Sequence, residues 1–251
     1  MKDLFSLKSK VALVTGGNRG LGRAVAEGFA AYGADVAVIS TKYTPEVELE
    51  LRVHGVRCKS YGFSLAAFDR YDALIEQVVA DFGSIDILVN NAGVQRRSPA
   101  EDFPEEDWDF VLDIDLKGPF LLCQKVGRIM LEKGYGKIIN FASLLSFQGG
   151  LTVPAYAAAK HGVSGFTKSL ANEWARRGIN VNAIAPGYMA TEMIESLLKD
   201  EVRSRQILER IPAGRWGIPE DIVGAALFLA SSASDYVNGF TLAVDGGWLG
   251  R

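Results

Sequence analysis

Tyr156 and Lys160 stand four positions apart in Tyr-Ala-Ala-Ala-Lys. On a helix that spacing places both side chains on one face, one turn apart. A free phenol, with a pKa of about 10, is a poor acid or base at neutral pH. A neighbouring ammonium favours the phenolate and pulls that value down. Work near pH 7 requires a shift of about three units, roughly 4 kcal/mol of differential stabilisation. Lys160 can supply part of it, and a cationic cofactor ring more. Ser143 closes the apolar run 137–142, which reads as a strand. If that strand end meets the helix, the Ser143 hydroxyl and the Tyr156 phenol reach one substrate oxygen. The chemistry would be proton transfer at an alcohol or a carbonyl. An isolated Tyr-x-x-x-Lys is more often a plain helix face, so the surrounding elements must carry the assignment.

Those elements alternate. Val11-Ala12-Leu13-Val14-Thr15 reads as a strand, Gly16-Gly17-Asn18-Arg19-Gly20-Leu21-Gly22 as a turn, and the residues through Tyr32 as a helix. Strand, glycine-rich turn and helix open a nucleotide-binding unit. The glycines admit a pyrophosphate close to the backbone, and the helix N-terminus offers unpaired N–H groups to it. Further strands are predicted over 36–39, 58–65, 85–89, 137–142, 180–185 and 240–244. Helices are predicted over 69–82, 108–130, 156–177, 192–210 and 219–231. Strands alternating with helices imply an α/β protein, a doubly wound parallel sheet with helices on both faces. No linker, repeat or low-complexity segment interrupts residues 1–251, so a single domain is expected. In such sheets ligands sit beyond the carboxyl ends of the strands. Gly16, Asn90, Ser143 and Pro186 each follow a strand, so all can line one crevice.

The second strand ends Ser40-Thr41-Lys42, without the carboxylate that often holds a ribose 2′-hydroxyl. These hydroxyls and Lys42, helped by Arg19, can tolerate a 2′-phosphate. Equally, Lys42 and Arg19 can be solvated loop charges.

Lys and Arg total 27 against 30 acidic residues, a net charge of −3, which argues against a nucleic-acid partner. The two cysteines and two histidines have neither disulfide-framework nor metal-ligand spacing, so no metal site is expected. The N-terminal residues show no signal-peptide pattern, and no apolar run is long enough to span a bilayer. A soluble, cytoplasmic protein is the expectation.

With these residues in place, the chain resembles the short-chain dehydrogenase/reductase family from about Leu7 to Arg251. The elements are Thr15-Gly16-x-x-x-Gly20-x-Gly22, Asn90-Asn91-Ala92-Gly93, Ser143, Tyr156-x-x-x-Lys160 and Pro186-Gly187-x-x-x-Thr191. Each is weak singly; together, in order, they are specific. The resemblance implies a Rossmann-like fold and hydride transfer with a nicotinamide cofactor, NAD with NADP possible. Tyr156 would be the acid or base and Ser143 would position the substrate oxygen. Lys160 would hold the nicotinamide ribose and lower the tyrosine pKa. Gly16, Asn18, Arg19, Gly20, Leu21 and Gly22 would shape the pyrophosphate site. Asn90 would lie near the adenosine ribose and Ser64 near the adenine, Thr191 would meet the carboxamide or phosphate side, and Ser40, Lys42, Leu65, Ala92, Gly93, Pro186 and Gly187 would also contact the cofactor.

The chain departs from the family pattern at two positions. Asp115 stands where relatives carry an asparagine that holds a proton-relay water. An aspartate accepts from a water but cannot donate when ionised, and its charge raises the pKa of Lys160. Ser64 stands where many relatives use an aspartate for the adenine amine. A narrower resemblance is carried by 142–150, 186–191, 210–217 and 235–249, which look like the 2-deoxy-D-gluconate and 2-dehydro-3-deoxy-D-gluconate dehydrogenase branch. It implies a sugar-acid substrate, whose carboxylate needs a cation and whose hydroxyls need hydrogen-bonding partners. Arg96, Arg97 and Gln148 are the candidates, with solvated loop arginines as the alternative reading. Rival functions are a 3-oxoacyl-carrier-protein reductase and a non-catalytic dinucleotide-sensing module. Helices equivalent to 108–130 and 156–177 pair across subunits in the family, which implies a homotetramer.

Overall fold

The computed structural model describes residues 3–192 and 200–251. Seven strands form one parallel sheet: β1 (Val11–Thr15), β2 (Asp35–Ser40), β3 (Cys58–Gly62), β4 (Ile87–Asn90), β5 (Gly136–Phe141), β6 (Ile179–Pro186) and β7 (Thr241–Val244). Their order is β3-β2-β1-β4-β5-β6-β7. β1 pairs with both β2 and β4, so the order reverses direction between β1 and β4. At such a switch point the connections on either side diverge and leave a crevice.

Side-chain alternation divides the core between two faces. Ala12, Val14, Val36, Val38, Ile87 and Val89 pack with helices α1 (Gly20–Ala31), α2 (Pro45–Arg52) and a C-terminal helix, Val223–Ala230. Val11, Leu13, Ala37, Ile39 and Leu88 pack on the other face with α3 (Tyr71–Phe82), Leu122, Val126 and Met130, and Leu170. The doubly wound α/β architecture expected from the alternation is therefore present.

The expected long helix over 108–130 is three pieces: α4 (Glu105–Leu112), a π-helical turn (Asp113–Lys117) and α5 (Gly118–Lys133). Pro119 has no N–H and would clash with the carbonyl four residues back in a regular helix; the wider π turn relieves this. The helix α2 was not expected. Its signals are local: Pro45 in the first turn, Glu46 and Glu48 beside it, and Arg52 in the last turn. The third strand stops at Gly62, short of the expected 65. The helix after Ser143, α6, starts at Pro154 and ends at Trp174, with a 3-10 turn to Arg177. Of the expected 192–210 helix, α7 (Glu201–Arg210) is seen, while 193–199 lie outside the described residues. The final helix, α8, spans Val223–Ala230.

Candidate active site

The carboxyl ends of β1, β4, β5 and β6 are adjacent in the sheet, and they bring the strand-end motifs to one rim. After β1, Gly16 (φ +67°) and Gly20 (φ +54°) adopt the left-handed backbone that glycine permits. The turn is latched to the β4 end. Asn91 Nδ2 donates to the Thr15 carbonyl at 3.0 Å, and the Asn91 and Ala92 amides donate to Thr15 Oγ1 at 3.1 and 3.0 Å. A methyl at Gly22 would run into Asn91 Nδ2 and the Gly16 carbonyl. By contrast, among the described residues a Cβ at Gly20 would meet only Thr191, at 3.9 Å, so these residues leave the space over the turn open and Thr191 borders it. The first turn of α1 has no side-chain cap. Its unpaired N–H groups, beside that open space, fit a dinucleotide pyrophosphate.

The second rim position is built from β5 and α6. Ser143 caps a 3-10 turn, Leu144–Ser146, and its Oγ accepts from the Leu145 amide at 3.2 Å. Ser146 Oγ then donates to the Lys160 carbonyl at 2.6 Å, which ties the Ser143 turn to α6. Lys160 is buried, and its Nζ donates to the Phe141 carbonyl at 3.0 Å and stands 5.3 Å from the Tyr156 ring centre. The Ser143 side chain is near enough to Tyr156 to favour its ionised form. Ser143, Tyr156 and Lys160, distant in sequence or one helical turn apart, thus converge.

Asp115 joins them. It lies in the π turn, fully buried, with Oδ1 accepting the Val94 amide at 2.7 Å and Oδ2 3.3 Å from Lys160 Nζ. Burial pushes the Asp115 carboxyl up, against the opposing pull of Lys160 and the Val94 amide. Burial works against the Lys160 charge, but Asp115 and Tyr156 outweigh it and hold the ammonium above its ordinary value. For Tyr156, burial raises the phenol; Lys160 opposes, Asp115 adds to the rise, and Ser143 and Arg97 oppose. The lysine therefore acts in the direction expected from sequence, yet it does not prevail over burial.

Other predicted residues are placed as follows. Arg96 pairs with Asp107 at 3.1 Å and lies over the Phe110 ring, whereas Arg97 is exposed and its Nη2 donates to Gln95 Oε1 at 2.8 Å. The two arginines thus separate: Arg96 packs on α4, and Arg97 stays on its own loop, where its charge acts on Tyr156 through space. Gln148 accepts from Trp248 Nε1 at 3.1 Å, which links the Ser143 loop to the C-terminal segment. Asn90 points into the sheet face, where its Nδ2 donates to Asn140 Oδ1 at 2.8 Å. Gly93 lies against Asp115, since a Cβ there would be 3.0 Å from Oδ2. Ser40 Oγ donates to the Lys42 carbonyl at 2.6 Å, and Lys42 is exposed. Arg19 pairs with Glu192 at 2.7 Å. Ser64 is exposed and accepts from the Ala66 amide at 3.4 Å, while Leu65 is buried and its carbonyl receives the Tyr71 hydroxyl. Asn18 and Leu21 are half-buried in the turn. Pro186 ends β6, and Gly187 packs so closely on Asp245 that a Cβ would be 2.6 Å from its Cα.

Several contributors escaped the sequence reading. Tyr188 packs on Trp248 at 4.7 Å and on Trp216 at 5.8 Å, forming an aromatic wall with Leu144 beside Ser143. No spacing in the chain links these aromatics. Ser146 was detectable, because Ser-x-x-Ser directly after a strand is a capping pattern.

A doubly wound sheet with a glycine turn at its switch point and a Ser-Tyr-Lys cluster on the same rim defines a dinucleotide-dependent oxidoreductase. Comparison with known proteins agrees. The family model described as enoyl-(acyl carrier protein) reductase matches residues 16–249, and the chain belongs to this short-chain dehydrogenase/reductase family. It is 52% identical over 250 residues to the 2-dehydro-3-deoxy-D-gluconate 5-dehydrogenase of Dickeya dadantii (strain 3937), covering 99% of each chain. A solved structure from Agrobacterium tumefaciens, provisionally assigned as a 2-deoxy-D-gluconate 3-dehydrogenase with bound NADP, superposes with a TM-score of 0.93 at 51% identity, covering 100% of both chains. A gluconate 5-dehydrogenase from Burkholderia cenocepacia in complex with NADP and tartrate gives a TM-score of 0.94 at 41% identity, with 99% of this chain and 98% of that one covered. The protein is an NAD(P)-dependent oxidoreductase acting on CH–OH groups of sugar acids.

Proposed function

We propose that the protein interconverts a secondary alcohol and a ketone on 2-dehydro-3-deoxy-D-gluconate or a close sugar acid. The observation that carries this reading is the setting of Tyr156, whose ring centre lies 5.3 Å from Lys160 Nζ and whose phenol feels the Ser143 hydroxyl. When bound, the nicotinamide ring supplies the hydride acceptor for oxidation and the hydride donor for reduction. Tyr156, as phenolate, takes the hydroxyl proton in oxidation and returns it in reduction. Ser143 holds the substrate oxygen against the phenol. Lys160 has three N–H donors. One meets the Phe141 carbonyl and one faces Asp115, which leaves one for the nicotinamide ribose hydroxyls. Arg97, exposed on the loop after β4, offers the cation that a substrate carboxylate needs.

The turn 16–22 receives the pyrophosphate, and Thr191 closes over it from the β6 side. NAD serves as cofactor, with NADP accepted: β2 ends without a carboxylate, and the Agrobacterium and Burkholderia relatives carry NADP. Residues 1–251 act as one catalytic and dinucleotide-binding domain. A homotetramer in the cytoplasm is the expected assembly, supported by partly exposed Trp108, Phe110 and Phe120 on α4 and α5. Among the described residues no helix is long and apolar enough to cross a membrane.

The deciding experiment assays 2-dehydro-3-deoxy-D-gluconate, 2-deoxy-D-gluconate, gluconate and a 3-oxoacyl thioester with each cofactor. Highest kcat/KM on a sugar acid is expected; highest kcat/KM on the thioester would reassign the enzyme to the acyl-reductase reading. Tyr156→Phe should lower turnover by at least about a hundredfold while dinucleotide binding persists. Light scattering on the eluting protein checks the tetramer.

A further inference from the structure

Asp115 occupies the position at which the family resemblance implies an asparagine, and the structure gives its carboxylate a definite partner. The side chain is enclosed. Val94 donates to Oδ1, Gly93 packs against Oδ2, and Lys160 Nζ lies 3.3 Å from Oδ2. No well-directed hydrogen bond reaches Oδ2, although the atom is buried, so its compensation is the charge of Lys160. Burial disfavours the charge on this carboxyl, while the two donors that approach it, the Val94 amide and Lys160, favour the ionised form.

The charges around Tyr156 come from three directions. Lys160 lies on the same helix, Asp115 on the π turn and Arg97 on the loop after β4, with the Ser143 hydroxyl at the end of β5. Lys160 itself faces Asp115 and Tyr156. With a neutral phenol, the Asp115–Lys160–Tyr156 cluster sums to zero. Ionising the phenol leaves it with a net negative charge in a buried setting. With asparagine at 115 the same ionisation would bring the cluster to zero. Removing the carboxylate therefore frees the ammonium to stabilise the phenolate.

We propose that Asp115 is a positioning residue that anchors Lys160 and engages its charge, so that Tyr156 rests as the proton-donating phenol and alcohol oxidation needs more alkaline conditions. This rests on the reading of Tyr156 as the acid or base. The upward directions of Tyr156 and Lys160, to both of which Asp115 contributes, support it.

The test is the pH profile of kcat/KM for sugar-acid oxidation, with wild type, Asp115→Asn and Asp115→Ala compared from about pH 6 to 11. In both variants the rising limb should move down by about one unit. On the wild-type limb that is about a tenfold gain relative to each variant's own plateau. An unmoved limb in variants that still bind dinucleotide would overturn the proposal, whatever their loss of melting temperature. Should neither variant fold, the apoenzyme decides. Phenolate absorbance of wild type minus Tyr156→Phe is expected only above about pH 9, and its appearance below about pH 7.5 would overturn the proposal. Normal turnover by Tyr156→Phe would instead remove the catalytic reading itself, whereas a dead Tyr156→Phe with an unmoved limb removes only the role of Asp115.

Discussion

The rim that carries Ser143 and Tyr156, at the end of β5 and the start of α6, and the rim proposed for the adenosine end of a cofactor, at the ends of β2 and β3, are built on opposite principles. At the first, Lys160 and Asp115 are buried, and their positions are fixed by Phe141, Val94 and Ser146. At the second, Lys42 and Ser64 are exposed, and the Ser40 and Ser64 hydroxyls make only local bonds. Arg19, in the glycine turn, is likewise more than two-thirds exposed in its pair with Glu192. Proton transfer needs fixed distances and a low dielectric, because both sharpen the effect of a neighbouring charge. Holding the outer end of a cofactor needs neither, and side chains there keep their contact with water until a ligand arrives.

Four substitutions can break or sharpen that contrast. Lys160→Met should have the largest effect, since it removes the partner of a buried carboxylate as well as a catalytic contact. A stability loss of about 3 kcal/mol is expected by urea unfolding, together with a fall in kcat of at least about a hundredfold. A variant as stable as wild type would mean that Asp115 is not held by this lysine. Gly22→Ala comes next. Its methyl must displace the Asn91 amide or the Gly16 carbonyl, so a cost of about 1–3 kcal/mol is expected, with weakened dinucleotide binding by calorimetry. Unchanged binding would show that the turn adapts as freely as the adenosine loops.

On the adenosine rim the effects should be selective rather than structural. Lys42→Ala should weaken NADP by roughly tenfold, the loss of one charge-assisted contact, and leave NAD and the melting temperature nearly unchanged. Equal weakening of both cofactors would place Lys42 outside the 2′-phosphate site. Arg19→Ala should be the mildest. Its ion pair is solvated, and stability should stay within about 0.5 kcal/mol. A larger change would show that the pair organises the glycine turn.

Local pattern carried much of the chain. Apolar runs bounded by Gly16, Asn90 and Pro186 are strands because parallel strands buried on both faces read as continuous hydrophobic stretches. The break near 113–117 had a signal, Gly118-Pro119 in the interior of the expected 108–130 helix, but its π-helical form had none. The side chains of Arg96 and Arg97 were indistinguishable in sequence. Only the placement of Asp107 and Phe110 beside Arg96, with Arg97 left to Gln95, separates the two.

The sequence by itself determined the order of elements, the glycine turn and the four-residue spacing that puts Tyr156 and Lys160 on one helix face, because these depend on neighbours along the chain. The tertiary structure alone decided that Asp115 would be held between the Val94 amide and Lys160, that Arg96 would be engaged by Asp107 and Phe110, and that burial would outweigh the lysine at Tyr156. Those outcomes depend on charges and solvent exclusion brought together by separate elements, and such fields fall off with distance through space, not along the chain.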